Sequence, residues 1–125
     1  RERDRSAIAT AATRLRGRPL TGLAFLRISG AERHAIPTPL APLLPSRLDR
    51  LSGGQYQLLN VWACLGSDAE LVLLDEPTNN MDARAESSLV DVLLASREKG
   101  RAVLVISHEH DFLEQVCTRL VEVRR

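Results

Sequence analysis

Hydrophobic residues follow their most regular pattern in the second part of the chain, after Arg50. The runs Leu71–Leu74 and Ala102–Ile106 are continuously apolar and of strand length, which is typical of parallel strands that are buried on both faces. A shorter run predicts a last strand over Leu120–Val123. The segments between these runs have apolar residues at helical spacing, so the pattern alternates. It predicts an α/β fold with a parallel sheet.

Three helices are predicted between and beside these strands. The first begins after Ser52, which is a suitable N-terminal cap, and runs to about Leu65. The second spans residues 83–99 and ends at Gly100, and the third spans residues 109–117. The second helix is expected to turn four residues toward the core: Leu89, Val92, Leu93 and Ala95.

The first part of the chain is less regular. Residues 1–16 have apolar positions at helical spacing and predict a helix, which Gly17-Arg18-Pro19 would end. Residues 23–28 predict a strand, and prolines at positions 37, 39, 42 and 45 predict an irregular loop over residues 30–46. The chain is therefore predicted to have a basic, proline-rich lead segment, residues 1–46, before a regular portion, residues 47–125.

Composition supports a globular protein and excludes several classes. Of the 125 residues, 44% are hydrophobic and 26% are charged. No run of about 18 apolar residues occurs, so no membrane-spanning helix is predicted. The net charge of +1 gives no global reason to expect a nucleic-acid or membrane partner. Cys64 and Cys117 form no disulfide or metal pattern and are predicted to be small core residues.

The even charge balance conceals a division between the two parts. Residues 1–50 carry ten arginines against four acidic residues, whereas residues 51–125 carry seven basic against twelve acidic residues. The basic arm over residues 1–18 could touch RNA phosphates. The preferred interpretation is a helix face exposed to solvent, because runs of charged residues usually form such faces.

The start of the first helix has the chemistry of an anion site. Gly53 and Gly54 allow close approach of a ligand to the backbone, and Ser52 and Gln55 flank them. A helix N-terminus offers unpaired N–H groups and the positive end of the helix dipole, which suit phosphate. The alternative is a plain serine-capped helix start with no ligand.

Polar residues also follow both buried strands. Asp75 and Glu76 come directly after the first, where open α/β sheets bind ligands, and His108 follows the second. Asp75 could hold Mg²⁺ and Glu76 could orient or deprotonate a water molecule. The imidazole of His108 could reach the same crevice. Asp82 ends the intervening turn and is interpreted either as part of the site or as a helix cap.

Together these residues resemble the C-terminal part of an ATP-binding cassette (ABC) ATPase domain. Four motifs carry the resemblance: LSGGQ (51–55), LVLLDEP (71–77), TNNMD (78–82) and SHEHDFL (107–113). They match the signature motif, the Walker B motif with its glutamate, the D-loop and the switch-histidine loop. The separations also match, with 20 residues from Gln55 to Asp75 and 33 from Asp75 to His108. The resemblance covers residues 47–125 and implies a partial P-loop NTPase three-layer sandwich with parallel strands.

The resemblance implies a role for each residue at the helix start and in the turn. In such cassettes the signature motif of one subunit contacts the γ-phosphate of ATP that the opposite subunit holds. Ser52, Gly53 and Gly54 would make this contact, and Gln55 completes the nucleotide-binding set. Asp82 would help to join the two subunits. A second cassette is therefore an implied partner.

The resemblance also implies ATP and Mg²⁺ as cofactors. Asp75 would support Mg²⁺, Glu76 would act as the catalytic residue on the attacking water, and His108 would contact the γ-phosphate. The family's Walker A loop, GxxxxGK[ST], is absent from the sequence, since Lys99 is the only lysine and lacks the glycines. No glutamine precedes Gln55 to serve as the Q-loop residue. The 125-residue chain is therefore expected not to hydrolyse ATP alone. Its first residue is not Met, so it is expected to continue upstream.

The signature helix itself is unusual, because it lacks the arginines that relatives carry. Tyr56, Leu58 and Trp62 lie on it without forming one stripe. Core packing is the preferred interpretation, and contact with a missing segment or partner is the alternative.

Residues around the motifs favour one branch of the family. DEPTNN, SHEHDFL and the closing residues 118–123 resemble the F-type (ABC-F) cassettes, which are soluble, cytoplasmic ATPases that act on ribosomes and include antibiotic-resistance factors. This resemblance implies the ribosome or its RNA as a partner. One alternative is the ATPase subunit of a transporter, peripheral to the membrane and bound to a permease. A non-enzymatic cassette remnant is another, and a chromosome-maintenance ATPase is disfavoured because no heptad flank is present.

Overall fold

The computed structural model describes residues 6–9, 19–31, 35–66, 71–97 and 102–121. Three parallel strands form the sheet, in the order β1-β2-β3: β1 Ser6–Ala9, β2 Leu71–Asp75 and β3 Ala102–Ile106. The predicted α/β class with a parallel sheet is confirmed, and the strands predicted from the two continuous apolar runs, Leu71–Leu74 and Ala102–Ile106, are both present.

The described residues also form four α-helices: α1 Gly22–Ser29, α2 Gly53–Leu65, α3 Ala83–Ser96 and α4 His110–Val116. Two short 3₁₀ helices, Thr38–Leu43 and Leu48–Arg50, precede α2. The three helices predicted after Ser52 are confirmed. The predicted continuation of α3 to Lys99 and its end at Gly100 lie outside the described residues.

The helix predicted over residues 1–16 is wrong where the structure describes it. Residues 6–9 form β1, which runs parallel to β2 with Ser6 opposite Leu71 and Ala9 opposite Leu74. Backbone bonding to a neighbouring strand outweighs local helical spacing, because helix propensity is a weak preference that tertiary contacts override. The rest of the predicted helix and the glycine expected to end it lie outside the described residues.

The strand predicted over residues 23–28 is also wrong, because this segment is helix α1. Thr21 caps it, with its Oγ1 accepting a bond of 3.1 Å from the N–H of Ala24. Gly30 ends it at φ 81°, in the left-handed region that glycine adopts without strain. An apolar run this short fits either element, so the two end signals decide between them.

The proline-rich segment, predicted to be an irregular loop, contains the 3₁₀ helix Thr38–Leu43. Pro37 precedes this helix and Pro39 lies in its first turn, where a missing N–H costs nothing. Leu40 and Leu43 point from it into the core. Residues 32–34 lie outside the described residues.

Helix α2 lies at the centre of the core. Tyr56, Leu58 and Trp62 are all buried, so the preferred interpretation of these residues as core packing is confirmed. The rings of Tyr56 and Phe25 on α1 have centroids 5.9 Å apart. Helix α2 therefore joins the lead segment to α3 and the sheet.

The two cysteines lie at the margin of the core. Cys64 on α2 and Cys117 after α4 are half-buried, and both pack against the buried cluster, as predicted. Burial raises the pKa of the Cys64 thiol. Burial also raises the pKa of the Cys117 thiol, although Arg97 opposes the effect.

Only one face of the sheet is covered by described elements. Val72 and Leu74 are buried on the covered face, whereas Leu104 and Ile106 are 53% and 46% exposed on the other. The prediction that both apolar runs are buried on both faces is therefore wrong for this part of the chain. On α3, Ala95 is also exposed, although it was expected to face the core.

The predicted last strand is not formed where it is described. Leu120 and Val121 are exposed and lie outside any strand, and the remaining residues of that prediction are not among those described. In the described part of the chain, every helix is too short or too polar to cross a lipid bilayer.

Candidate functional site

The carboxyl ends of β2 and β3 bring Glu76 and His108 together. Asp75 ends β2 opposite Ile106, which ends β3. The N–H of Glu76 donates a 2.8 Å hydrogen bond to the carbonyl oxygen of Ile106, which fixes the Glu76 backbone to the neighbouring strand. His108 Nε2 then lies 3.4 Å from Glu76 Oε2. The two side chains therefore meet at one edge of the sheet, as their positions after parallel strands indicated.

The backbone of Glu76 is held in an unusual conformation. Its φ is 49°, in the left-handed region that side-chain-bearing residues rarely adopt. Such a conformation costs on the order of 1–3 kcal/mol, and it occurs most often at functional sites. The surrounding bonds maintain it, because the Glu76 N–H is held by Ile106 and its carbonyl accepts from the N–H of Asn79 at 3.1 Å.

The exposure of the two side chains differs. The Glu76 side chain is 23% exposed and that of His108 is 94% exposed. A carboxylate fixed at the sheet edge and an imidazole open to solvent can both contact a ligand that arrives from outside. Asp75 is exposed beside them.

The turn between β2 and α3 leads to Asp82. Asn80 has a φ of 64°, and the N–H of Met81 donates to the carbonyl of Thr78 at 3.1 Å. Asp82 caps α3, since its Oδ1 accepts a 2.8 Å bond from the N–H of Ala85. Of the two interpretations of Asp82, the structure shows the cap, and a role between subunits stays a prediction.

The start of α2 is a reciprocal capping box. The N–H of Gln55 donates to Ser52 Oγ at 3.1 Å, and the N–H of Ser52 donates to Gln55 Oε1 at 2.9 Å. Each side chain therefore accepts a bond from the backbone N–H of the other residue and is not bonded to Glu76 or His108. By helix geometry, the N–H groups of Gly53 and Gly54 have no acceptor inside the helix. Gly53 is exposed and Gly54 is buried.

Buried Gly54 connects this helix start to the turn before α3. A methyl group at position 54 would lie 3.2 Å from Ala85 Cβ and 3.6 Å from Met81 Cγ. The structure thus brings the predicted residues together in two groups. Glu76 and His108 form one, and the helix start with the turn 80–82 forms the other.

An acidic group beside the site was missed by sequence reasoning. Desolvation raises the pKa of Glu86, on the first turns of α3, and so does the negative charge of Glu109, with which it shares a hydrogen bond. Asp111 adds to this effect. The only sequence signal was that Glu109 directly follows His108, and nothing in the spacing indicated that Glu86 would lie near it.

The residues present fit Mg²⁺ only as an ion that is shared with a phosphate ligand. Among the described ranges, no three His, Cys, Asp or Glu side chains converge in a way that would hold a metal. Mg²⁺ in nucleotide sites commonly binds one or two carboxylates and completes its shell with phosphate and water. The exposed carboxylate of Asp75 suits that arrangement.

Curated relatives resemble the chain over most of its length. No family model matches it. Methionine import ATP-binding protein MetN 1 of Burkholderia lata is 32% identical over 105 residues, which cover 76% of this chain and 30% of that protein. ATP-binding cassette sub-family A member 7 of Mus musculus is 38% identical over 111 residues, which cover 86% of this chain and 5% of that protein. The chain thus spans less than a third of the length of these relatives.

Solved structures share its fold. RNase-L Inhibitor aligns with a TM-score of 0.74 and 21% identity, over 89% of this chain and 23% of that one. A dimeric ATP-binding cassette in a post-hydrolysis state, bound to ADP and Pi, aligns with a TM-score of 0.63 and 19% identity. This second alignment covers 90% of this chain and 56% of that one. At these identities the likeness concerns the fold alone.

Proposed function

We propose, from the premise that the chain belongs to the ATP-binding cassette ATPases, that it completes an ATP site whose Walker A loop comes from a second cassette. The observation that carries this proposal is the capped start of α2. There an exposed Ser52-Gly53 backbone stands at the positive end of a 13-residue helix.

The capping box prepares this helix start for phosphate. Because Ser52 and Gln55 hold each other, the first turn is fixed before any ligand arrives. The exposed N–H of Gly53 then offers a donor that needs no rearrangement. A phosphate group held by a partner would accept this hydrogen bond and would also be stabilised by the positive end of the helix dipole.

The second part of the proposal concerns hydrolysis at the sheet edge. Glu76 orients or deprotonates the attacking water, and His108, 3.4 Å from it, contacts the γ-phosphate. Mg²⁺, when bound with the nucleotide, neutralises phosphate charge beside Asp75. These residues act only when a Walker A loop is present, because the sequence of 125 residues has none.

An association experiment tests the signature role. The partner is a cassette that has an intact Walker A loop but whose own signature serine and catalytic glutamate are replaced. Mixed with it and ATP, this chain should form a complex that sedimentation detects, because its signature is the only intact one. Ser52→Arg should abolish the complex, since the larger side chain would fill the space that the phosphate needs and would remove the serine cap of α2.

Ser29→Arg is the matched control, because Ser29 is an exposed serine on α1 rather than at the start of α2. It should leave association unchanged. Equal association of the wild-type chain with and without ATP, or loss of the complex in both variants alike, would refute the proposed role.

Within the family, we propose an F-type protein that acts on the ribosome, on the basis of the residues Thr78-Asn79-Asn80 after Walker B. The transporter alternative has its own support, because curated relatives such as the methionine import protein are named for transport. Charge limits where RNA could bind, since residues 51–125 are net acidic and the excess of arginine lies before them.

Ribosome co-sedimentation distinguishes the two branches. Deleting residues 1–18 would also remove β1, so replacing Arg14, Arg16 and Arg18 by Gln is the cleaner test. An F-type protein should sediment with ribosomes in a salt-dependent manner, and these substitutions should weaken binding and its salt dependence. Absence of sedimentation, together with ATP-dependent binding to a permease in vesicles, would favour the transporter.

A further inference from the structure

The two glycines of the signature segment have different surroundings. Gly53 is exposed, so its backbone can meet a ligand, whereas Gly54 is buried against α3 and the turn that precedes it. A methyl group at Gly54 would lie 3.2 Å from Ala85 Cβ, a distance closer than ordinary van der Waals contact. Its other near neighbours would be Met81 Cγ at 3.6 Å and the Asn80 carbonyl oxygen at 3.9 Å.

Ala85 is itself held in place. Its N–H donates to Asp82 Oδ1 at 2.8 Å, which fixes the first turn of α3. The methyl group of Ala85 therefore presents a fixed surface to Gly54. Ala85 is half-buried, and the size of residue 85 limits the space that is left for a side chain at position 54.

We propose that Ala85 is a positioning residue for the signature segment. Its methyl group, fixed by the Asp82 cap, sets the position of Gly54 and through it the placement of the exposed Gly53 N–H. Position 54 is then glycine because a side chain there would press on Ala85. This inference rests on the proposed signature role of the chain.

A double-mutant cycle tests the proposal in the association experiment with the Walker A cassette. Gly54→Ala should raise the ATP concentration for half-maximal association about tenfold, an ordinary size for a coupling between touching residues. Adding Ala85→Gly opens space opposite the new methyl group. The double variant should therefore return to within about twofold of the wild type.

Gly53→Ala is the matched control. It should also weaken association, but Ala85→Gly should not restore it, because residue 53 is exposed. If Ala85→Gly restores both glycine variants equally, or restores neither while the chain stays folded, the positioning role is overturned. If instead the wild-type chain shows no ATP-dependent association, the proposed function fails as well.

A second variant covers the case in which Gly54→Ala does not fold. Ala85→Ser adds one atom from the α3 side and leaves the signature residues unchanged. It should raise the ATP concentration for half-maximal association while the urea midpoint for unfolding changes little. An unchanged ATP requirement in a folded Ala85→Ser chain would count against the proposal.

Discussion

The lead region, which comprises the residues before Ser52, and the motif region, which follows it, are built in different ways. Apart from β1 and α1, the first is held by single backbone bonds between distant segments, such as Leu48 N–H to the Leu20 carbonyl at 2.7 Å and Gly22 N–H to the Ser46 carbonyl at 2.8 Å. The second is built from regular strand pairing and longer helices. Both nevertheless contribute fully buried leucines to one core. A segment can therefore be well packed without being periodic.

Two glycines lie at close backbone contacts of the lead region, one where it packs against α2 and one within the lead region. A methyl group at Gly66, after α2, would lie 2.6 Å from Ala31 Cβ. One at Gly22 would lie 2.4 Å from the Leu43 carbonyl oxygen. Real atoms do not approach so closely, so both positions require glycine. The lead region is thus fitted against the end of α2 by close backbone contact.

The largest expected effect is a loss of ATP turnover on replacing Glu76, which tests the chemistry of the motif region and not its packing. In an assembled cassette that contains this chain and a Walker A loop, Glu76→Gln should lower ATP turnover at least ~100-fold, the usual contribution of a general base. ATP binding should persist, so nucleotide is trapped and can be measured by filter retention. Glu114→Gln, at an exposed position on α4, is the control and should hydrolyse normally. Loss of ATP binding in Glu76→Gln would contradict the assigned role.

A matched pair of leucines tests whether the two regions are equally packed. Leu40 in the proline-rich region and Leu59 on α2 are both fully buried. Replacing either by Ala should lower the free energy of unfolding by about 2–5 kcal/mol, through lost burial and the cavity left behind. Urea denaturation measures both. A change below about 0.5 kcal/mol for Leu40→Ala alone, typical of a surface site, would show that the lead region is not part of the core.

Two glycine substitutions should change stability in opposite directions. Gly22→Ala places a methyl group against the backbone of Leu43, so it should destabilise by about 1–3 kcal/mol. Gly53→Ala, at an exposed helix position, should leave stability unchanged or raise it by up to about 1 kcal/mol, because it restricts the unfolded chain. Thermal and urea unfolding would both report this. Equal destabilisation would remove the distinction between the two glycines.

The smallest expected effect lies in the acidic group beside the site. The pKa of Glu86 is raised in the folded chain, so its stability contribution is present below the unfolded value of 4.5 and is lost as pH rises through the folded pKa. Glu86→Gln should therefore reduce the decrease in stability that occurs as the pH rises above 4.5. Unfolding midpoints measured from pH 4 to 7 test this. Glu114→Gln should leave the profile as in the wild type.

The regular elements of the motif region were predictable, because each has a local signal. Ser52 with Gln55 three residues later is the sequence pattern of a capping box, and the structure contains one. The meeting of Glu76 and His108 followed from topology, since parallel strands end at the same sheet edge. Neither Ala85 nor Glu86 could be identified in this way, because their importance depends on which helix start packs beside them.

The lead region was predicted poorly for a different physical reason. Residues 6–9 pair with a strand more than sixty positions away, and no local pattern records that partner. The residues of α1 fit a strand or a helix equally, and only Thr21 and Gly30 decide. Prolines disfavour regular structure, yet the 3₁₀ helix Thr38–Leu43 contains Pro39 in its first turn and Pro42 in its interior.

The alkylation rates of the two half-buried thiols can report which of the two regions opens first. Only a thiolate reacts with alkylating agents, and burial keeps the pKa of Cys64 and Cys117 raised. Each cysteine should therefore react slowly until its surroundings open. Cys64 lies near the end of α2, where the lead region docks, and Cys117 lies after α4. Each rate is compared with that of the same thiol in the unfolded chain. Equal ratios would mean that the lead and motif regions unfold as one cooperative unit, whereas a larger ratio at Cys64 would mean that the lead region detaches first.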